Sequence, residues 1–433
     1  MTDSLTRRNF LKRTSAFAAG IAALGAMPVR AVVGANDRVR VAVIGCNGRG
    51  MNHITAWLEV ANVEIACICD VDRRAMAKGI EAVVKKQERR PQGERDLRRV
   101  LDDKSVDAIS IAMPDHWHTP ATILACKAGK HVYVEKPGSH NLRESEMIVA
   151  AARKHKRVVQ MGNQRRSWPW VIDAMNALHT GEIGKVFTAR GWYANHRETI
   201  GHGKIVPVPD WLDYSLWQGP ALEQPYRDNI IHYNWHWFWN WGTGECGNNG
   251  VHALDIARWG LGVELPKRVT CGGGRYNYQD DWETPDTITA TFDFGDKEII
   301  WEGQSCAPRG FEDSAFGVEF FGENGSMVTT NTTAKIFDLK QKLVREIPSA
   351  EKELYGYDAD HFGNFINGIR NGEKLRAEIG EGQKSTTLCH LANIAWRTGR
   401  TVNFDRSSHK IIGDPKAAAL AGRKYRHGWE PKI

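Results

Sequence analysis

A β-branched run that stops abruptly at glycine constrains this chain more than any other feature. Arg38-Val-Arg-Val-Ala-Val-Ile44 has no helical period, and it gives way at once to Gly45-Cys-Asn47-Gly48-Arg49-Gly50. A helical pattern covers residues 50–60. Strand, glycine-rich turn and helix in this order are the context in which backbone N–H groups at a helix N-terminus hold a pyrophosphate. Gly45 permits the tight turn; Asn47, with Gly48 beside it, stands where a second glycine is usual, so the match to G-x-G-x-x-G is imperfect.

The rhythm continues. Val63-Glu-Ile-Ala-Cys-Ile-Cys69 reads as a second buried strand, a charged helix spans residues 73–89, and short strands fall at 106–112, 131–134 and 157–161. A helical stretch precedes each, so residues 36–165 predict an α/β, doubly wound parallel sheet of Rossmann type. Asp70 closes the second strand. A carboxylate there accepts ribose hydroxyls and repels a 2′-phosphate, which favours NAD. Arg73 and Arg74 can each meet that phosphate, so NADP stays open, as does a helix cap with two solvated arginines. In Ala112-Met-Pro-Asp-His-Trp-His118, Met113 and Pro114 are placed to line the adenine–ribose groove. His118 either faces the nicotinamide or caps the next helix.

Glu135-Lys136-Pro137 ends the strand His131-Val-Tyr-Val134, ninety residues past Gly45. Lys136 therefore arrives at the edge of a later strand of the same sheet, where the nicotinamide ring of the cofactor should lie. A cation there grips a substrate hydroxyl or shuttles its proton.

Past residue 165 the pattern changes. Helical segments at 169–180 and 250–261 bracket a long aromatic stretch, and residues 267–339 carry strands joined by Gly-Asp and Asn-Gly turns. This predicts an α+β region over 166–400 built on a large, mostly antiparallel open sheet, closed by helices at 358–371 and 384–398. Residues 401–433 form a basic, Gly-rich tail, docked or loose. Such a sheet has one face to cover, which points to a homo-oligomer. Many of the sixteen tryptophans cluster between Trp168 and Trp241. They serve either as packing or as flat platforms for sugar C–H faces.

At 433 residues, with 42% hydrophobic and 25% charged side chains, the chain suits two globular domains. Of the formal charge of +7, the first 31 residues supply a surplus of four, five basic side chains against Asp3, which leaves about +3. No basic stripe with interleaved aromatics stands out, so nucleic acid is not an expected partner. Thr6-Arg-Arg-Asn-Phe-Leu-Lys12, the apolar stretch 16–27 and the small-residue exit at Ala31 resemble a twin-arginine export signal. The expected destination is the periplasm, reached folded through the export machinery with cofactor already inside and tightly bound. Eight scattered cysteines show neither a disulfide framework nor metal-ligand spacing, and no metal is expected.

Taken together, the glycine loop, Asp70, the Pro-Asp-His-Trp-His turn, Glu135-Lys136-Pro137, Gly181-Glu-Ile-Gly184 and Gly247-Asn-Asn-Gly-Val-His252-Ala-Leu-Asp255 resemble the Gfo/Idh/MocA family. That is the group of glucose–fructose oxidoreductase and inositol dehydrogenase, and the resemblance runs from about residue 36 to 400. It implies NAD(P)-dependent oxidation or reduction of a sugar-like alcohol between a Rossmann domain and an open-sheet domain. It also leaves the Lys136–Pro137 bond open to the cis form. Lys136, His252 and Asn248 are the implied catalytic set, and Gly45, Asn47, Gly48, Arg49, Gly50, Asp70, Arg73, Met113, Pro114, His118, Glu135 and Lys136 the cofactor contacts. Asn163, Arg165, Tyr193, His196, Trp235, His236, Trp237 and Asp255 are the expected substrate contacts, with Tyr226 at the rim. Asn248 departs from the family, which usually has aspartate there; an amide only hydrogen-bonds, so the tuning of His252 should differ. Two other readings stand beside the oxidoreductase: a redox-neutral NAD-dependent glycoside hydrolase, and a non-catalytic sugar- or NAD-binding protein.

Overall fold

The computed structural model describes residues 38–350 and 356–433, so the expected leader at 1–31 lies outside the described residues. Six strands build the first sheet: β1 (Val39–Ile44), β2 (Val63–Cys69), β3 (Gln92–Glu94), β4 (Ala108–Ile111), β5 (His131–Val134) and β6 (Val159–Met161). Every pairing is parallel, in the order β3-β2-β1-β4-β5-β6. Strand β4 is buried along its whole length, as a parallel strand with helices on both faces must be. The strand order reverses between β1 and β4, and ligands bind doubly wound sheets at such a switch point.

Two local features escaped the periodicity argument. Strand β3 is three residues long and carries no pattern. The charged helix stops at Val84 rather than at 89. The chain leaves it so that the Gln87 amide can accept from the Ile65 N–H at 2.9 Å and donate to the Ile65 carbonyl at 3.0 Å. That side chain stands in for a neighbouring strand on the part of β2 that β3 does not reach.

The second sheet has ten strands: β7 (Val186–Ala194), β8 (Arg268–Gly274), β9 (Thr287–Asp293), β10 (Glu298–Gln304), β11 (Phe316–Gly322), β12 (Gly325–Thr329), β13 (Thr333–Asp338), β14 (Leu343–Pro348), β15 (Val402–Asp405) and β16 (Lys410–Ile412). It is antiparallel except where β7 inserts between β10 and β11 and runs parallel to β10. The helices Val251–Leu261 and Ile379–Thr398 pack on this sheet. The second begins five residues earlier than the pattern at 384 suggests, because the Glu378 carboxylate caps it by accepting from the Gly380 N–H at 2.9 Å. The tail expected from residue 401 is not separate: β15 and β16 extend the sheet. The segment beyond β16 is docked, with Arg423 Nε and the Tyr425 hydroxyl donating to the buried Glu144 carboxylate at 2.9 and 2.8 Å.

One helix of the C-terminal half, Asp358–Asn371, returns to the first sheet. Its Phe362 stacks on Tyr133 of β5 at 4.3 Å and meets Trp57 edge-on at 4.4 Å, in the same core as Val41, Val43 and Ile68. The two sheets therefore depend on each other for stability. Truncating this fully buried ring, Phe362→Ala, should cost about 3–5 kcal/mol. Denaturant unfolding followed separately by tryptophan fluorescence and far-ultraviolet dichroism should still give one coincident transition, moved to lower denaturant.

Candidate active site

The turn after β1 is built for an anion. Gly45 has φ +85°, and a Cβ there would lie 2.8 Å from the Ala112 carbonyl oxygen; one on Gly50 would lie 1.8 Å from the Gly45 oxygen, so both close approaches require glycine. The helix Arg49–Glu59 starts behind Gly48 with no side-chain cap and no acidic residue in its first turn. Apart from the Met51 N–H, which donates to the Gly48 carbonyl at 2.9 Å, its first N–H groups are thus left for a ligand. Asp70 sits at the end of β2 on the same cavity, accepting from the Cys46 N–H at 2.6 Å and the Asp72 N–H at 2.8 Å. A carboxylate has further acceptor sites, enough for a ribose diol. Uncapped helix, bare turn and acid at this spacing fit a dinucleotide.

Glu135, at the end of β5, is the hub of the cavity wall. It accepts from Arg49 Nε at 2.9 Å, Gln164 Nε2 at 2.8 Å and the Lys136 N–H at 3.1 Å, and lies 3.0 Å from His53 Nε2. Burial opposes its charge, but Arg49, His53 and Lys136 hold the carboxyl well below its ordinary range. The Lys136–Pro137 bond is cis. The Lys136 amine crosses to the other half, donating to the Asn248 carbonyl at 2.9 Å and to its side-chain Oδ1 at 3.1 Å. Burial lowers the pKa of this amine, against the pull of Glu135 and Asp115.

His252 lines the same cavity from the first turn of helix Val251–Leu261. Its Nδ1 is buried with no hydrogen-bond partner among the described residues. Burial, then the charges of Lys136 and Arg165, push the imidazole well below its ordinary pKa. That shift favours the neutral ring, whose free nitrogen can accept a proton. The cavity, of about 630 Å³, runs from Gly45 and Asp70 past Lys136 to Tyr193, Trp235 and His236. Arg165 also borders it, its guanidinium 3.7 Å over Phe316 and 4.5 Å from Trp168.

Two descriptions of one family match this chain, "Oxidoreductase family, NAD-binding Rossmann fold" over residues 39–163 and "Oxidoreductase family, C-terminal alpha/beta domain" over residues 153–431. The chain belongs to the Gfo/Idh/MocA oxidoreductase family. A glycosyl hydrolase family 109 protein of Saccharopolyspora erythraea is 29% identical over 231 residues, 48% of this chain and 50% of that one. The chain thus spans about half the length of that curated relative. An alpha-N-acetylgalactosaminidase of Tannerella forsythia is 27% identical over 329 residues, 70% of this chain and 69% of that one. The WlbA dehydrogenase of Bordetella pertussis, solved with NADH and UDP-GlcNAcA, superposes with a TM-score of 0.64 at 18% identity, covering 85% of this chain and 99% of that one. At that identity the likeness shows a shared fold.

Within the Gfo/Idh/MocA frame, most residues expected from sequence reach the cavity. Asn47, Gly48, Met113, Pro114, His118 and Asn248 all line it. His118 bridges two turns, its ring nitrogens each 2.7 Å from a carbonyl oxygen, of Pro137 and of Met113. The structure places others elsewhere. Arg73 is exposed and paired with Asp210 at 2.8 Å, outside the cavity lining. Gly50 packs the helix against the turn rather than touching the cavity. Asn163 is buried behind the lining, which takes its neighbour Gln164 instead. Trp237 stacks on Trp282 at 3.9 Å in the interior, Tyr226 is part of a small aromatic core with Tyr214 and Trp217, and His196 is exposed with its backbone bridged to Cys306. Asp255 is not a substrate contact: its carboxylate is 1% exposed and taken by Arg166 at 2.8 and 2.9 Å and by the Ser385 hydroxyl at 2.6 Å.

Sequence reasoning passed over Asp115, Arg197, Tyr233 and Asn249 as cavity residues. Asp115 and Asn249 stand inside the family's motifs, beside the residues chosen from them. Arg197 and Tyr233 lie in the irregular aromatic stretch, where no period marks a side chain's direction. If Asp255 is structural, Asp255→Ala strands the buried Arg166 charge and should cost about 3–5 kcal/mol of stability. Its carboxyl is held down to about 2 by Arg166 despite burial. A depressed carboxyl stabilises above its ordinary value near 3.8 and loses that contribution as pH falls through about 2. The difference in stability between native protein and variant should therefore shrink only on that acid side, as read by chemical denaturation across pH.

Proposed function

We propose that this chain oxidises a ring hydroxyl of a sugar or glycoside with NAD as hydride acceptor. The reading rests on one observation: the Lys136 amine from β5 and the His252 imidazole from beneath the second sheet enter the cavity that the Gly45 turn opens. NAD, when bound, supplies the acceptor for the hydride. Lys136 holds the hydroxyl oxygen and stabilises charge that develops on it. The neutral imidazole of His252 takes the hydroxyl proton. Asn248 fixes the amine, and Tyr193, Trp235 and His236 bound the sugar end. Asp70 takes the ribose. Arg73, paired with Asp210, and Arg74, spread 3.4 Å over Trp211 and bonded to Asp72, both lie outside the cavity lining, which supports NAD over NADP.

Tight retention of the cofactor is part of the proposal. The aromatic stretch is pinned across the adenosine end, where the Arg73 N–H donates to the Trp211 carbonyl and the Asp213 N–H to the Val71 carbonyl, both at 3.0 Å. His232 adds a contact to Asp72 at 3.0 Å. The paired arginines Arg7 and Arg8 support export with the cofactor aboard. Buried and less buried residues alternate along Thr287–Asp293 and Glu298–Gln304, leaving one face of the second sheet less covered, which supports self-association.

A second reading has specific support: relatives named glycosyl hydrolase family 109 protein and alpha-N-acetylgalactosaminidase. In that reading a sugar carbon would pass hydride to bound NAD and later take it back, and between the two the adjacent proton and the glycosidic oxygen would leave by elimination and water would add in their place, so the net reaction is hydrolysis. Incubation of purified protein with aryl glycosides separates the two. Keto-sugar with accumulating NADH supports the dehydrogenase, whereas phenol release without net NADH supports the hydrolase. In either case Lys136→Ala should lower turnover by about a thousandfold, the scale of losing a catalytic proton handler, with NAD affinity nearly unchanged by calorimetry. A base acts only above its pKa, so the depressed imidazole of His252 should place the acid limb of kcat/KM below the ordinary 6.5. A limb at or above 6.5 contradicts that role.

A further inference from the structure

Asn248 supplies no charge to Lys136, yet the structure puts a carboxylate directly behind it. Residues Cys246–Gly250 form a π-helical turn, and Glu245 immediately before it reaches both Asn248 and Asn249, three and four residues on. Glu245 is 2% exposed and does not line the cavity. Its Oε1 accepts from Asn248 Nδ2 at 3.2 Å and Asn249 Nδ2 at 2.5 Å, and its Oε2 from Arg197 Nε at 2.8 Å and the Ser305 hydroxyl at 3.0 Å. A lysine amine only donates and a carboxylate only accepts, so the Asn248 amide has one orientation open to it: oxygen to Lys136, nitrogen to Glu245.

We propose that Glu245 is a positioning residue for the reaction proposed above, holding the Lys136 amine on the substrate oxygen through Asn248. An aspartate at 248 would offer its charge directly but could not donate to Glu245; an asparagine relays the charge of the carboxylate behind it. Hydrogen-bonded chains of this kind polarise one another in a low-dielectric interior. The charged and titratable groups around the amine are Glu135, Asp115, Arg49 and Glu245, with the imidazoles of His236 and His252. Of these, only Glu245 is bonded to the side chain that receives the amine.

The test needs no substrate, so it stays separate from the reading of the reaction. Protein carrying 13Cε-labelled lysine, with Lys136→Met to identify the signal, reports the titration of this amine. Glu245→Gln removes a nearby negative charge and should lower the midpoint by about one pH unit. Glu245→Gln combined with Asn248→Asp should bring it back. Should the uncompensated Arg197 prevent the first variant from folding, Glu245→Asp keeps the charge beside Arg197 but withdraws from Asn248, and gives a smaller fall in the same direction. A Lys136 midpoint unchanged in the folded variants overturns the proposal. If the shift occurs and no sugar is oxidised, the relay stands and the assigned reaction fails.

Discussion

One buried carboxylate holds the two halves of this site in register. Glu135 is bonded to the cofactor turn through Arg49, to the first helix through His53, to the segment after β6 through Gln164, and to the backbone of the residue that carries the reactive amine. Arg49 reaches on to Asp358, at the start of the helix that returns from the C-terminal half. A buried carboxylate is tolerated only when its acceptor sites are filled and its charge is met. Here three of the groups that satisfy it, Arg49, Gln164 and the backbone of Lys136, belong to residues that line the cavity, and His53 backs them from the interior. Removing Arg49 would leave that charge uncompensated in the interior, so the site's geometry and the stability of the fold are tied together.

Much of this was legible in the sequence where chemistry coincides with a local rule. The first sheet could be read because β-branched runs, glycine turns and helices alternate at a fixed pitch, and the turn at Gly45 carries its own steric explanation. Lys136 and His252 were found because each lies in a motif whose position on a strand end or helix start determines where its side chain arrives. What could not be read has a common cause. Asp255 and Trp237 look like ligand-binding residues by type, but their partners, Arg166, Ser385 and Trp282, come from distant segments. Nothing in the surrounding residues announces such long-range partners. The parallel β7–β10 pair is likewise a matter of tertiary insertion, invisible to pairwise turn signals.

The tryptophan-rich stretch shows both outcomes at once. Trp217 and Trp235 line the cavity, while Trp237 and Trp241 fill interior space. Aromatic rings are large enough to do either, and position in an irregular segment decides between them. The stretch is also bonded across the end of the cleft near Asp70, so one irregular segment both borders the cavity and ties back to the first domain.

On the function proposed above, hydride passes between a sugar ring carbon and a nucleotide lying along Gly45, Asp70 and Lys136. Single-turnover incubation with sugars deuterated at individual ring carbons, followed by mass analysis of the bound nucleotide, tests it directly. The account requires deuterium on the nicotinamide from one ring position, and loss of that transfer when Lys136 is replaced. Nucleotide that stays unlabelled while the same sugars are still converted contradicts it.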